Sequence, residues 1–265
     1  MSPAFAVSLV VNTFNQPDYL TRVLDAASRQ SSLPDEVLLA DDGSTPETKA
    51  AFDRWRAAQT FRCEHVWQEH LGFRRARVLN QAIARARGDY LIFLDGDSVP
   101  HPDFIADHRA LARPGQFVQG HRALIGRKAA EGFGRHQFSR DRWRALGRFQ
   151  LRGWKHAFRW PWPLRRVRDD LGGVRGCNLA MWRADLIRVN GYNEAFIGWG
   201  REDSELTVRL MNSGLRRLDV RGWALCYHLW HSPVSRGELA ANDELLERAV
   251  QEKAIHCASG LNQHR

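Results

Sequence analysis

Cysteine is scarce in this sequence: there are four in 265 residues, and none stands in a Cys-x-x-Cys pair. Cys63, Cys177, Cys226 and Cys257 therefore outline neither a disulfide framework nor a structural zinc site, and a reducing, cytoplasmic setting is expected. Long apolar runs are missing as well, since no stretch approaches the roughly 20 residues that a membrane-spanning helix needs. Residues Met1 to Val7 lack the basic segment and apolar run of a secretory leader, so no export signal is expected. No internal repeat is visible. Acidic residues are outnumbered, 30 against 39 Lys and Arg, which gives a formal charge of +9 and a pI near 10. Such a field draws phosphate-bearing ligands, nucleic acid or an anionic lipid surface, and does not choose among them.

What is present is apolar content of 43%, enough for the core of one α/β domain over residues 1–265. Val7 to Val11 is a short β-rich run leading into Asn12-Thr13-Phe14-Asn15 and then Pro17, which opens a helix to about Gln30. The order repeats. Glu36 to Ala40 precedes Asp41-Asp42-Gly43-Ser44 and a helix from about Pro46; Cys63 to Gln68 precedes a helix from about Arg74 to Arg87; Tyr90 to Leu94 precedes Asp95-Gly96-Asp97. Strands alternating with helices of this length predict a Rossmann-like, mostly parallel central sheet flanked by helices. Ligands of such sheets bind beyond the carboxyl ends of the strands, so the three polar loops are expected to converge on one edge. Taken singly, each loop also reads as simple turn punctuation.

Asp95 and Asp97 offer two hard oxygen donors after an apolar strand, and Gly96 between them lets the backbone approach a ligand. This pattern suits Mg²⁺ or Mn²⁺ bridging to a substrate diphosphate. Further on, Gly198-Trp199-Gly200-Arg201-Glu202-Asp203 opens a helix-like segment. Acids at a helix start are explained by the helix dipole, but the glycines and Trp199 are not. An indole on a glycine-rich turn gives sugars a flat face to stack on, and a neighbouring carboxylate accepts a hydroxyl proton. Tyr227-His228-Leu229-Trp230-His231 could complete the metal site through one histidine, His231 in preference to His228. Between Arg135 and Arg168, arginines (among them Arg140, Arg142, Arg144, Arg148, Arg152, Arg159, Arg165 and Arg166) alternate with Trp143, Trp154, Trp160 and Trp162. Such a tract suits an anionic membrane surface or a charged acceptor, and equally a solvated helix over buried tryptophans.

With these residues in view the chain resembles the family-2 glycosyltransferases of GT-A fold. Its second half is similar to the galactosyltransferase-type region of bacterial chondroitin polymerases and β-1,4-galactosyltransferases. The likeness covers roughly residues 6–232 and rests on Val10 to Asn15, Asp41 to Ser44, Leu94 to Asp97 and Gly198 to Asp203. It implies a nucleotide-sugar-binding half over 1–120, a basic and aromatic insert over 121–172, an acceptor-binding and catalytic half over 173–232, and a C-terminal helix within 233–265. By this resemblance Thr13, Asn15, Asp41 or Asp42, Asp95, Gly96 and Asp97 meet the donor, with Asp95, Asp97 and His231 at Mn²⁺ or Mg²⁺. Arg77 and Asn80 are implied at the base and Asn178 at the sugar pocket. Asp203 stands in the place of the catalytic base, beside Glu202, Trp199 and Gly200 at the acceptor. The implied reaction is inverting transfer from a nucleotide sugar, UDP-linked by the resemblance, to a glycan or glycolipid of the bacterial envelope. Arg201 and Ser204 depart from the galactosyltransferase pattern, which leaves the acceptor open.

Two other classes compete. A metal-dependent nucleotidyltransferase would carry a basic, Gly-rich phosphate loop near its N-terminus, and Val11 to Asn15 is not one. A non-enzymatic RNA- or membrane-binding protein would use the basic tract but has no need of Asp95-Gly96-Asp97 together with Glu202-Asp203. Nucleic acid is not expected as a partner, while contact with the anionic inner face of the cell membrane is.

Overall fold

Val7, Leu9, Val10 and Val11 are wholly buried, as the central strand of a sheet covered on both faces requires. In this computed structural model, which describes residues 5–134, 138–147, 150–232 and 237–265, they form β1 (Val7–Thr13). The chain continues through α1 (Pro17–Ala27), β2 (Glu36–Asp41), α2 (Pro46–Arg56), β3 (Arg62–Trp67), α3 (Arg75–Arg85) and β4 (Tyr90–Asp95). Pro17 and Pro46 start their helices where no backbone N–H is needed. Then follow β5 (Ser98–Pro100), α4 (Phe104–Leu111), β6 (Gln116–Gln119), β7 (Arg122–Ile125), α5 (Arg127–Ala130), α6 (Phe138–Gly147), β8 (Leu151–Arg152) and β9 (Leu164–Arg168). The last elements are β10 (Asn178–Trp182), α7 (Arg183–Arg188), α8 (Glu202–Asn212), β11 (Arg216–Arg221), β12 (Cys226–His228) and α9 (Leu239–Gln251).

Eight strands make one sheet in the order β3-β2-β1-β4-β10-β6-β11-β9, and four make a second in the order β5-β12-β7-β8. The first four strands of the large sheet are mutually parallel, as expected; β10 then runs antiparallel to β4 and β6. Alternate residues of β1 feed opposite apolar layers. Leu9 and Val11 meet Leu20, Val23 and Leu24 of α1, while Val10 meets the α3 side, with Val78, Leu79 and Ile83. The register sets Thr13 beside Asp41 and Asn12 beside Asp95, so the three polar loops do reach one edge together.

Three sequence expectations shift. The helix expected to end near Gln30 stops at Ala27, and that expected over 74–87 covers Arg75–Arg85. The C-terminal stretch, where Leu239, Leu245, Leu246 and Val250 predict an amphipathic helix over about 238–254, forms α9 with Asn242 and Ala249 as its buried positions and Val250 49% exposed. The basic tract supplies strands to both sheets, β8 to the small one and β9 to the open edge of the large one. Arg135 and Arg148, and the side chains of Arg140 and Trp154, lie outside the described residues. Among the described residues no helix is long and apolar enough to cross a membrane.

Candidate functional site

The chain turns sharply after β4. Gly96 N–H donates to the Asn12 carbonyl at 2.7 Å, and a Cβ on Gly96 would come within 3.0 Å of that oxygen and of Thr13 Oγ1. Only glycine keeps this approach free of crowding. One residue on, the chain enters the small sheet, where Ser98 pairs with His228 across β5 and β12, and Leu229 N–H bonds the Asp97 carbonyl at 2.8 Å. That pairing is what brings the distant histidines to Asp97. Its carboxylate lies 3.2 Å from His231 Nε2 and 3.6 Å from His228 Nε2, and one donor atom from each of the three residues falls within 4.8 Å of the others. Burial holds the His228 imidazole down, at about 4, so it is neutral and free to ligate. Burial also works against the Asp97 carboxylate, but the His231 hydrogen bond and the neighbouring imidazoles outweigh it and keep Asp97 below the usual carboxylate range. An anionic carboxylate with two imidazoles is a fitting donor set for a divalent ion such as Mn²⁺.

Asp95 turns to a different partner. Its Oδ1 is 3.2 Å from Nη2 of Arg75, the first residue of α3, and among the described residues the Asp97 cluster does not include it. The other guanidinium nitrogen of Arg75 lies 3.1 Å from Glu202 Oε1 and 3.3 Å from Asp203 Oδ1. Three carboxylates thus surround one buried cation, an excess of negative charge that the site relieves by protonation. Burial, with the Asp203 charge beside it, pushes Glu202 up to about 8, so it holds a proton at neutral pH; burial raises Asp95 as well. Asp203 is the more accessible acid, 21% exposed against 8% for Glu202, and Gly176 N–H holds its Oδ2 at 2.5 Å. Glu202, expected on acceptor hydroxyls, is buried within the cluster.

The turn before α8 is built from left-handed backbone at Gly198, Gly200 and Arg201, with φ of 75°, 106° and 78°. Nothing caps α8 with a side chain, so Glu202 and Asp203 are not simple capping residues, whereas Glu205 is spent on a buried pair with Arg209. Asn242 of α9 clamps the turn by donating to the carbonyls of Ile197 and Gly200, both at 3.0 Å, and Arg201 Nε donates to Asp243 Oδ1 at 2.5 Å. Trp199 stands 39% exposed on this clamped turn.

The remaining expected donor residues divide. Thr13 is buried at the edge with Oγ1 unpartnered, as is Asn12 Oδ1, and exposed Phe14 stacks on His70 at 4.4 Å. Asp41 and Asp42 are buried and internally bonded, Asp41 to Ser44 N–H (2.8 Å) and His65 (2.8 Å), Asp42 to Gln68 (2.6 Å) and Arg74 N–H (2.8 Å). Asn15 Oδ1 accepts from Thr45 N–H at 2.8 Å, fastening the first loop to the second. Three further expected residues are placed as follows. Asn80 is fully buried, exchanging hydrogen bonds with the Tyr192 backbone and donating to Glu194. Asn178 is likewise consumed by His108, His121 and Ala224. Arg77 lines a cavity with Arg74, Glu194 and Ile197, and the Arg74 N–H ties that wall to Asp42. Arg75 is the member that motif reading passed over, and His228, ranked behind His231, joins that histidine at Asp97. The surplus of acids around a helix-leading arginine was the signal available for the first.

Residues 8–169 match glycosyl transferase family 2, and residues 164–232 match the N-terminal domain of galactosyltransferase. The chain is 30% identical over 232 residues to validoxylamine A glucosyltransferase of Streptomyces hygroscopicus subsp. limoneus, covering 79% of this chain and 48% of that protein. It is 25% identical over 242 residues to chondroitin synthase of Escherichia coli, covering 84% and 34%. The chain thus spans about half or less of these curated relatives. Among solved structures, a mannosyltransferase from Pyrobaculum calidifontis in complex with GDP-Man and Mn²⁺ aligns with a TM-score of 0.60 at 21% identity, over 96% of this chain and 65% of the other. TarS of S. aureus aligns at 0.62 and 17% identity, over 94% and 41%. At these identities the likeness concerns the fold.

Proposed function

The chain belongs to glycosyl transferase family 2 and has its GT-A fold, and from that premise we propose that it transfers a sugar from a nucleoside-diphosphate donor to an acceptor hydroxyl with inversion. The observation that carries the proposal is the division of acids on either side of Gly96: Asp97 with His228 and His231, and Asp203 with Arg75. The family match also sets aside the nucleotidyltransferase and non-enzymatic readings.

Asp97, His228 and His231 would hold the metal, and two imidazoles favour Mn²⁺ over Mg²⁺, which prefers oxygen throughout. A bound divalent ion supplies charge neutralisation for the departing diphosphate. The chain's own residues do the rest. Thr13 and the Asn12 amide, with unpartnered oxygens at the sheet edge, receive hydrogen bonds from the donor nucleoside, and Phe14 on His70 offers it a stacking face. Trp199 presents an apolar wall to the acceptor. Asp203, held by Gly176 N–H and Arg75, accepts the proton of the acceptor hydroxyl while that oxygen bonds the anomeric carbon. The bond to the diphosphate oxygen breaks on the opposite face, so configuration inverts. Protonated Glu202 keeps the cluster from accumulating charge and so keeps Arg75 available to Asp203.

The donor is proposed as a UDP-sugar, with a GDP-sugar, as in the mannosyltransferase complex, the comparator in a screen. The acceptor is proposed as an envelope glycan or glycolipid at the inner membrane face. Support for the membrane comes from the β9 edge, where Trp162 (81% exposed), Leu164 (58%) and Val167 (53%) alternate with exposed Arg165 and Arg166. The test of the reaction is metal-dependent release of nucleoside diphosphate from a panel of nucleotide sugars. No turnover of any of them in the presence of Mn²⁺ or Mg²⁺ would reject it.

A further inference from the structure

Arg77 and Arg75 lie on opposite sides of α3. Arg75 faces the acids, whereas Arg77 lines a cavity of about 460 Å³, a size within the range of small-ligand sites. Its other walls include Leu71, Arg74, Glu194, Ile197 and Gln263. The Arg77 guanidinium makes no hydrogen bond or ion pair with any described residue, and the only side-chain bond of Arg74 runs to the Leu71 carbonyl at 3.0 Å. Glu194 sets one negative charge against the two guanidinium charges of Arg74 and Arg77, and with its Oε1 turned to Asn80 at 2.8 Å and His264 at 2.6 Å it leaves the cavity wall net positive. A guanidinium on a cavity wall with no protein acceptor is free to make charge-assisted hydrogen bonds to an anionic ligand.

The cavity abuts the acceptor turn. Ile197 precedes Gly198, and Gly198 N–H bonds the Phe73 carbonyl at 3.0 Å, tying that turn to the residue before Arg74. Its walls come from α3, the acceptor half and the C-terminal segment; none comes from the loops holding Thr13, Asp41 or Asp97. Leu71 and Ile197, 51% and 45% exposed, give its mouth an apolar lip against which a sugar ring can lie. We propose that this cavity binds an anionic group, a carboxylate or a phosphate, carried by the acceptor next to the sugar that receives the transfer. The inference rests on the glycosyl-transfer reading for its word "acceptor", and on the cavity alone for its anion.

Calorimetric titration of methyl glucuronide, glucose 6-phosphate and neutral methyl glucoside tests it, with UDP plus Mn²⁺ as an internal control. At least one anionic probe should bind about tenfold more tightly than methyl glucoside, the scale of one charged hydrogen-bonded contact. Arg77→Glu should erase that preference and Arg77→Lys should retain part of it, with UDP affinity unchanged in both. The stronger probe tells a uronate-bearing acceptor from a phosphorylated one. Equal binding of all three probes to the wild-type chain, or an anion preference that survives Arg77→Glu, overturns the proposal. Loss of UDP binding in the wild type with the anion preference intact would reject the donor reading and leave the anion site standing.

Discussion

Asp95 and Asp97 are separated by one glycine, yet they serve different surroundings. Asp97 meets two imidazoles from the small sheet, and Asp95 meets a guanidinium from α3 and, through it, the two acids that open α8. On the first side histidines surround one acid, which stays ionised below the usual range. On the second, acids surround one arginine, and burial forces Glu202 to keep its proton. The contrast teaches that two carboxylates two positions apart can be given opposite electrostatic surroundings, provided the turn between them sends each to a different layer. Gly96, where a Cβ would sit 3.0 Å from the Asn12 carbonyl and Thr13 Oγ1, keeps that turn uncrowded.

The comparison can be broken from either side. The largest effect is expected at Asp203: Asp203→Asn should lower transfer, or nucleotide-sugar hydrolysis with water in place of the acceptor, by about 10²–10⁴-fold, the range of general-base catalysis. Initial rates under saturating donor check this. Next comes Arg75→Met, which leaves carboxylates buried without their cation and should cost about 3–5 kcal/mol of stability, read from denaturant unfolding.

Much of the Asp97 side and little of the Arg75 side could be read in the sequence. The strands ending at Thr13, Asp41 and Asp95 followed from apolar runs broken by polar loops, because parallel strands buried on both faces leave no other pattern. Arg75 was hidden because an arginine in a basic, amphipathic helix reads as solvent-facing, and only packing turns it to the acids. Asn80 and Asn178 show the opposite limit. An amide that saturates buried backbone groups is chemically identical to one that binds a nucleotide, and only the fold tells which partners reach it. His228 and His231 could be ranked but not paired, since their shared approach to Asp97 depends on the β5–β12 register.

A smaller effect sharpens the proton balance. The native state holds the Glu202 proton up to about pH 8, whereas the unfolded chain releases it near the ordinary glutamate value. Between those limits the folded form binds more protons, so stability falls as pH rises through the window. Glu202→Gln should flatten that part of the melting temperature's pH dependence; an unaltered profile would show that Glu202 ionises normally. The smallest effect belongs to the clamp on the Trp199 turn. Asn242→Ala removes two hydrogen bonds and should cost about 1–2 kcal/mol of stability while raising the acceptor KM several-fold with little change in donor KM.

The division of labour across Gly96 is tested most directly by calorimetric titration of UDP, with and without Mn²⁺, into Asp97→Ala and Asp203→Asn side by side. The account expects Asp97→Ala to lose the Mn²⁺-dependent part of the affinity and Asp203→Asn to keep it in full. Equal losses in the two variants, or a Mn²⁺ effect that survives in Asp97→Ala, would contradict it.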